Sequence, residues 1–252
     1  MTDNDIHYKI IKPDISLCDY VERFWMLTNL SENEKEIVAI PDGRIDIFFT
    51  YSDTKPFHIV LLGLESKPTT TPFQPSTVMF GISLKLLAVE YLLDKSISNL
   101  LNSFQLLPPD FWGIKKDDLA DLDTFSTKVS AKMRILIKEK VDERKQKLFD
   151  LIYSSNGSLT VKELSQKVYW SSRQINRYFN QQFGITLKAY CNILRFRASF
   201  EHIKEGNLFP QQNFADQAHF IKEVRKLSGV IPKELHKNEN DRFIQFSTLP
   251  SK

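Results

Sequence analysis

The sequence predicts an α+β protein, in which an N-terminal β-containing domain, barrel- or sandwich-like, precedes an all-α domain with two helix-turn-helix units. Three observations carry this prediction. Strand-like alternation occurs in the first 115 residues, helical spacing without Gly or Pro runs from residue 119 to 153, and helix-start signals with glycine stops recur beyond residue 157. We therefore divide the chain into residues 1–115, a helical connector over 116–154, and a C-terminal domain over 155–252.

The N-terminal elements follow from local spacing and turn residues. Strands are expected at residues 37–40 and 44–51 around a Pro-Asp-Gly turn, and further strands at 58–64 and 78–84. In the strand at 44–51, alternate apolar residues should share one face. The other expectations are a short helix from the spacing of Leu17, Tyr20, Val21 and Phe24, a Thr- and Pro-rich loop at 69–76, a helix at 86–93 and a break at 107–113.

The connector is predicted to be one long helix or two shorter ones. Apolar residues follow helical spacing on both sides of a stretch, residues 138–147, in which the pattern lapses. This lapse favours a helix packed on its own chain, although a coiled-coil seam in a homodimer stays open. A hinge-like break is expected at residues 154–157, which read Ser-Ser-Asn-Gly.

Charge is divided unevenly along the chain, although the net charge is +3. Residues 158–252 hold 15 Lys and Arg against 8 Asp and Glu, whereas residues 1–157 hold 19 against 23. A polyanion partner is therefore expected for the C-terminal part alone. No run of 18 apolar residues occurs and residues 1–12 lack the apolar core of a signal peptide, so we expect a cytoplasmic protein without a membrane partner.

The first helix-turn-helix unit is predicted from two capping boxes. Thr160 with Glu163 and Ser171 with Gln174 each mark a helix start, and Gly184 marks the end of the second helix. The short gap between the two helices suits a helix-turn-helix turn. The outer face of the second helix offers donors for base edges and phosphates, namely Arg173, Asn176, Arg177 and Asn180. The plain alternative is an ordinary surface helix with a solvated face.

The second unit is predicted around a helix at residues 217–227, with Asp216 as its N-cap. A rod-like helix from Leu187 to near Gly206, about 28 Å long, separates it from the first unit. Two recognition helices at that separation could meet successive major-groove segments, which lie about 34 Å apart. The outer face of this second helix carries Gln217, His219, Lys222, Arg225 and Lys226.

The C-terminal domain resembles the DNA-binding domain of AraC/XylS-type regulators. The matching residues are 164–184, 190–198 and 216–235, and residues 216–229 (DQAHFIKEVRKLSG) are the most specific part. The resemblance implies that residues 155–252 bind double-stranded DNA and regulate transcription in a bacterium. It implies base reading by Arg173, Asn176 and Arg177, then by Gln217, Ala218 and Lys222, with Arg225 nearer the phosphates; Ser172, Gln174, Asn180 and His219 complete the expected DNA-binding set.

The sequence departs from that family pattern before the second recognition helix. The family usually has a full helix there, but residues 206–215 are about three residues short and contain Pro210, which a helix interior excludes. The second unit should therefore lack a normal first helix, with Phe209 and Phe214 as candidates to replace its apolar contacts. Whether this unit enters the groove or touches backbone alone stays open.

The N-terminal part resembles, more loosely, the sensor domains that precede such readers. The residues that carry this likeness are 20–25, 41–47, 81–82 and 111–113. It implies a β-rich sensor or dimerisation domain that controls the reader through a small-molecule effector or a partner, with the ligand undefined. Asp42, Arg44 and Asp46 could form a polar ligand site, but an exposed hairpin with a charge pair is the favoured interpretation.

The sequence has two rival interpretations, an enzyme and a helical protein-interaction module. An enzyme is disfavoured because Cys18 and Cys191 stand apart, the five histidines are scattered, and no phosphate-binding loop is present; we expect no catalytic residue, metal or cofactor. The alternative to a transcription regulator is a helical protein-interaction module that has lost operator binding. Salt separates the two, because binding by several Lys and Arg side chains to DNA weakens steeply as salt rises.

Overall fold

The computed structural model describes residues 6–138, 140–211 and 214–249. An N-terminal antiparallel β-sheet region precedes a helical region, so the predicted α+β class is confirmed. The strands are β1 (Ile6–Ile11), β2 (Val21–Asn29), β3 (Lys35–Ala39), β4 (Ile45–Tyr51), β5 (His58–Leu62), β6 (Thr69–Phe73), β7 (Val78–Leu84) and β8 (Phe104–Leu107). The helices are α1 (Leu87–Tyr91), α2 (Leu122–Leu136), α3 (Glu143–Ser154), α4 (Val161–Val168), α5 (Ser172–Phe183), α6 (Leu187–Ala198), α7 (Phe200–Lys204), α8 (Gln217–Ser228), α9 (Pro232–Lys237) and α10 (Ile244–Ser247).

The strands form two sheets. Six strands pair in the order β1-β2-β7-β4-β5-β8, every pair antiparallel, and β3 pairs with β6 in a separate two-stranded sheet. One face of the large sheet is apolar and packs on α2, where Phe125 makes edge contacts with Phe49 and Phe80 at 5.4 Å between ring centroids. The opposite face turns toward the small sheet, and residues of both sheets line one cavity between them.

The helix predicted from Leu17, Tyr20, Val21 and Phe24 is wrong. Leu17 ends a short 3₁₀ turn, and Val21 begins β2. A register shift between Val21 and Arg23 inserts Glu22 as an extra residue in the ladder with β7. This bulge lets Val21 and Phe24 both face the core, which imitates helical spacing in a strand.

The strands at 37–51 exist, but they do not form the expected hairpin. β3 pairs with β6, whereas β4 pairs with β5 and β7 in the large sheet. The loop predicted at 69–76 is also wrong over Thr69–Phe73, which is β6. Its β-branched threonines favour a strand, and Pro72 is tolerated because both strands of a two-stranded sheet are edges.

The connector contains two α-helices, α2 and α3, so two shorter helices form and not one long helix. The break falls within the stretch in which the apolar pattern lapses. Phe125, Val129 and Met133 of α2 are buried against the chain's own sheet, as expected for a helix packed on its own chain. Within the described ranges, no helix combines the length and apolar character that crossing a membrane requires.

The predicted rod from Leu187 to Gly206 is interrupted. α6 ends at Ala198 and α7 begins at Phe200, with Ser199 between them, and the Ser199 hydroxyl donates to the Arg195 carbonyl. The 12 residues of α6 span about 18 Å. The continuous helix expected between the two recognition helices is therefore shorter than predicted.

The helical region is bonded directly to the sheets. The Tyr190 hydroxyl donates to the Gly43 carbonyl at 3.0 Å, and Gly43 has a left-handed φ of 77° with Leu194 so close that a side chain would collide with it. The chain's last segment returns to β3, where the Val38 amide donates to the Arg242 carbonyl at 2.7 Å. The Gln245 side chain bonds both backbone groups of Ile40.

Candidate nucleic-acid interface and inter-sheet cavity

The first helix-turn-helix unit forms as its caps predict. In α4, the Glu163 amide donates to the Thr160 hydroxyl at 3.2 Å and the Glu163 carboxylate accepts from the Thr160 amide at 2.8 Å. The same reciprocal pair joins Ser171 and Gln174 at the start of α5. Residues 169–171 form the turn, with Tyr169 left-handed, and Gly184 ends α5 in the left-handed conformation.

An aromatic cluster fixes the inner face of α5. Phe179 and Phe183 are fully buried, with ring centroids 5.1 Å apart, and Phe149 of α3 lies 5.9 Å from Phe179. Ile175 on the same face of α5 is fully buried as well. Because this face is fixed by packing, the opposite face of α5 is presented to solvent in a defined orientation.

The outer face of α5 carries the donors expected from the sequence. Arg173, Arg177 and Asn180 are exposed, and Ser172 and Asn176 are half-buried. The Gln174 oxygen is engaged in the cap, and the Asn176 amide donates to the Ser172 carbonyl at 3.0 Å. The two arginines are therefore the long, charged donors of this face.

Helix α8, the expected second recognition helix, begins at its predicted cap, where the His219 amide donates to Asp216 Oδ1 at 2.7 Å. Ala218, Lys222 and Arg225 are exposed along one side, together with Lys226. This side is a shallow, basic surface that extends along α8.

Two of the residues expected to face DNA on α8 form hydrogen bonds with the loop before it. The Gln217 amide donates to the Leu208 carbonyl at 3.0 Å, and its side-chain oxygen is buried. The His219 ring accepts a hydrogen bond from the Ala215 amide at 3.3 Å. No helix spans the described residues 207–211, as Pro210 predicts, and Gln212 and Asn213 lie outside the described residues.

One of the two phenylalanines before α8 supplies the predicted apolar contact. Phe214 packs edge-on against Phe220, with ring centroids 5.1 Å apart. Phe209 is 69% exposed, so it does not replace the missing helix in this way. The approach to α8 is therefore anchored close to the helix itself.

Polar bonds join the first unit to the N-terminal region. The Gln182 carbonyl at the end of α5 accepts from the Ile97 amide at 2.9 Å, and the Ser96 hydroxyl donates to the Gln181 carbonyl at 2.7 Å. The Tyr178 hydroxyl donates to Glu90 at 3.1 Å. The orphan carbonyls at the end of α5 are thus satisfied by the residues that follow α1.

A cleft of about 530 Å³ lies between the large sheet, α3, α6 and the C-terminal segment. Glu22, the extra residue of the bulge, pairs there with Arg44 at 2.9 Å and with Arg197 of α6 at 2.6 Å. Burial alone would raise the pKa of Glu22, but the two guanidinium groups hold it well below its usual range. This ion triad ties the sheet to the helical region.

A second cavity, of about 180 Å³, lies between the two sheets and is closed by α10. Asp42, Arg44 and Asp46 all line it, so the exposed hairpin favoured from the sequence is wrong. Arg44 is buried, because it turns inward to Glu22. The other charged residues of this cavity, Arg23 and Glu65, carry no local sequence signal, because only the strand order brings them together.

Burial governs the protonation of Asp46 and Glu65, two of the carboxyl groups that line this cavity. Burial, with the neighbouring charge of Asp42, raises the pKa of Asp46 to about 6, against hydrogen bonds from Ser83 and Trp25. Burial likewise raises the pKa of Glu65 to about 7, against the side chain of Thr69. Both groups therefore titrate close to neutral pH.

The described residues hold no group of three or more His, Cys, Asp and Glu side chains placed to bind a metal. Cys18 is half-buried and Cys191 is buried, and both are free thiols. Burial raises the pKa of the Cys191 thiol to about 12, which keeps it protonated and unreactive.

Comparison with known proteins gives a family model and a set of crystal structures. A model described as a domain of unknown function, DUF6597, matches residues 9–105. An apo variant of ToxT from Vibrio cholerae is 13% identical, with a TM-score of 0.47 over 93% of this chain and 98% of that one. A second ToxT structure from the same organism is 15% identical, with a TM-score of 0.45 over the same shares.

A third ToxT structure from Vibrio cholerae contains an unsaturated fatty acid; it is 13% identical, with a TM-score of 0.44 over 93% of this chain and 95% of that one. Likeness at this level does not define a shared function. A search of curated protein sequences gave no match.

Proposed function

We propose that the chain is a sequence-specific DNA-binding transcription regulator of the AraC/XylS type, in which α5 reads the major groove. The observation that carries this proposal is the outer face of α5, where Arg173, Arg177 and Asn180 are exposed on a helix fixed by two caps and a buried aromatic face. Arginine is the residue that most often reads guanine through a bidentate contact. The basic side of α8 adds a second contact along the duplex, chiefly to phosphates.

The N-terminal sheets, in this proposal, control how the reader is presented. The supporting observations are the cavity between the sheets and the bonds that join the N-terminal region to α5, α6 and the C-terminal segment. A small-molecule effector in that cavity would touch residues of α10 as well as both sheets. We accordingly assign no catalytic activity and no cofactor to the protein, and residues 155–252 form its DNA-binding domain.

The test is selection of bound fragments from a random duplex pool by the purified full-length protein at about 150 mM salt. We expect an enriched motif with a strong element read by α5 and a weaker, less specific flank under α8. Binding should weaken steeply between about 50 and 200 mM salt. Enrichment of no motif, together with salt-independent capture of a protein partner, would instead support the helical interaction module.

A matched control tests whether the helical face, rather than total charge, is responsible. Lys55→Ala removes one exposed cation from the turn between β4 and β5, far along the chain from either recognition helix. We expect this variant to enrich the same motif with unchanged affinity. An equal loss from Lys55→Ala and from Arg177→Ala would contradict the assignment of α5 as the reader.

A further inference from the structure

The cavity between the sheets has aromatic walls. Tyr8, Trp25 and Phe48 of the large sheet line it, with Ile37 of the small sheet opposite. Trp25 packs against Gly81, where a side chain would collide with the indole ring. At about 180 Å³ the cavity is close in size to the ~150 Å³ cavity known to hold benzene, so a ligand with one ring fits it.

Acidic groups outnumber basic groups around this cavity. The Arg44 guanidinium is bonded to Glu22, and Arg23 lies 3.7 Å from the Asp42 carboxylate. Asp46 and Glu65 form no ion pair with any residue that the structure describes. Two half-buried carboxyl groups thus line the cavity without an ion-pair partner among the described residues.

One carboxylate oxygen is left for a ligand. Both hydrogen bonds to Asp46, from Ser83 at 2.6 Å and from Trp25 at 3.2 Å, fall on Oδ1. Among the described residues, none donates to Asp46 Oδ2. The Ser83 and Trp25 bonds fix the direction of the carboxyl group, which is how a binding site orients an acceptor.

We propose that this cavity binds a small organic amine, in which an ammonium group pairs with Asp46 and Glu65 and a ring-sized apolar body packs against Trp25 and Phe48. This proposal rests on the ligand-controlled regulator proposed above and names the chemical class of its ligand. An ammonium would supply the missing cation, and the aromatic walls add a favourable cation–π environment.

An anionic ligand fits the same cavity less well. A carboxylate would gain Arg23 but would lie against Asp42, Asp46 and Glu65, which line the same cavity. Like charges at close range in such a site repel strongly. The cavity therefore selects against acids and in favour of amines.

The experiment is titration calorimetry of the full-length protein at about pH 8 without DNA, so its outcome is independent of DNA binding. The probes are benzylamine, 2-phenylethylamine and 4-phenylbutylamine, each compared with the corresponding alcohol and carboxylate. We expect at least one amine to bind at least about tenfold more tightly than both of its counterparts, the effect of one charge-assisted bond. If no amine exceeds its alcohol, or if a carboxylate binds best, the proposal is overturned.

Variants locate the binding to the two carboxyl groups. Asp46→Asn keeps the Oδ1 acceptor for Ser83 and Trp25 and should weaken amine binding by about tenfold or more, and Glu65→Gln should weaken it also. Asp53→Asn removes an exposed carboxylate from the turn between β4 and β5. This control should leave binding within about twofold, as expected for a surface charge outside the cavity lining. Thermal unfolding of each variant checks that it is folded, and undiminished binding by folded Asp46→Asn would refute the site.

Acidification gives a second readout. The pKa of Asp46 lies at about 6 and that of Glu65 at about 7, so both are charged at high pH and neutralised as the pH falls. Arg23 and Tyr8 also face the cavity, and their pKa values are raised further from neutrality, so they keep their charge states. Amine affinity should therefore fall between about pH 8 and pH 5.5, and affinity that does not change with pH would contradict the proposal.

Discussion

The two recognition helices differ in how they are supported. α5 follows a complete partner helix, and both helices of that pair begin with a capping box. α8 follows a loop, and its own Gln217 and His219 hold that loop in place. Side chains that would read bases on α8 are thus used for structure, whereas on α5 the caps hold the turn and leave both arginines exposed. Specificity should therefore reside mainly in α5.

The largest expected difference between the two units is in stability. Phe179→Ala removes a fully buried ring from the α5 cluster and should lower the free energy of unfolding by about 3–5 kcal/mol. Phe214→Ala removes a half-buried ring beside α8 and should cost roughly 1–2 kcal/mol, in proportion to the smaller area buried. Urea unfolding followed by circular dichroism measures both. Equal losses would mean that the loop before α8 is as firmly packed as the first unit.

The next difference concerns DNA. Arg177→Ala should weaken binding to the selected motif by about 1–3 kcal/mol and relax specificity at one base. Lys222→Ala should weaken binding to every sequence equally and lower the salt slope by about 1, as loss of a phosphate contact does. Fluorescence anisotropy with specific and scrambled duplexes separates the two. A sequence-dependent loss from Lys222→Ala would show that α8 also reads bases.

The smallest expected effect comes from the helix caps. Thr160→Ala and Asp216→Ala each remove one N-cap acceptor and should destabilise the protein by about 1 kcal/mol, whereas Thr160→Ser should be close to neutral. Because α8 has no partner helix before it, Asp216→Ala should in addition speed amide hydrogen exchange in the first turn of α8. Comparable exchange in the first turn of α5 after Ser171→Ala would remove the distinction between the units.

The sequence predicts these helices well because their signals are local. Thr160 with Glu163, Ser171 with Gln174, and Asp216 each specify a helix start within four residues, and the structure shows every one of these bonds. Pro210 is also a local signal: it predicts that no helix forms around it, and the described residues 207–211 contain none. Elements defined by neighbouring residues can be read from neighbouring residues.

The pairing of strands cannot be predicted from local signals, because it joins residues that lie far apart in the sequence. The composition of β6, rich in Thr and containing Pro72, is typical of a loop. It forms a strand because it pairs with β3, about thirty residues earlier in the chain. The bulge at Glu22 imitates a helix, and only the partner strand reveals it. The grouping of charged residues in the cavity is the hardest feature to predict. Arg23, Asp46 and Glu65 come together through the strand order, whereas in the sequence they are three separate charged residues.

The return of the C-terminal segment to β3 limits the modularity of this protein. Ile244, Gln245 and Thr248 close a cavity whose other walls come from the first third of the chain, and Gln245 is bonded to the backbone of Ile40. A chimera that exchanged the helical reader for a homologous one would therefore also replace the cavity's cover. A graft of the helical domain that retains the native last ten or so residues should preserve ligand selectivity. The sheets and the C-terminal segment are therefore expected to be inherited and exchanged together.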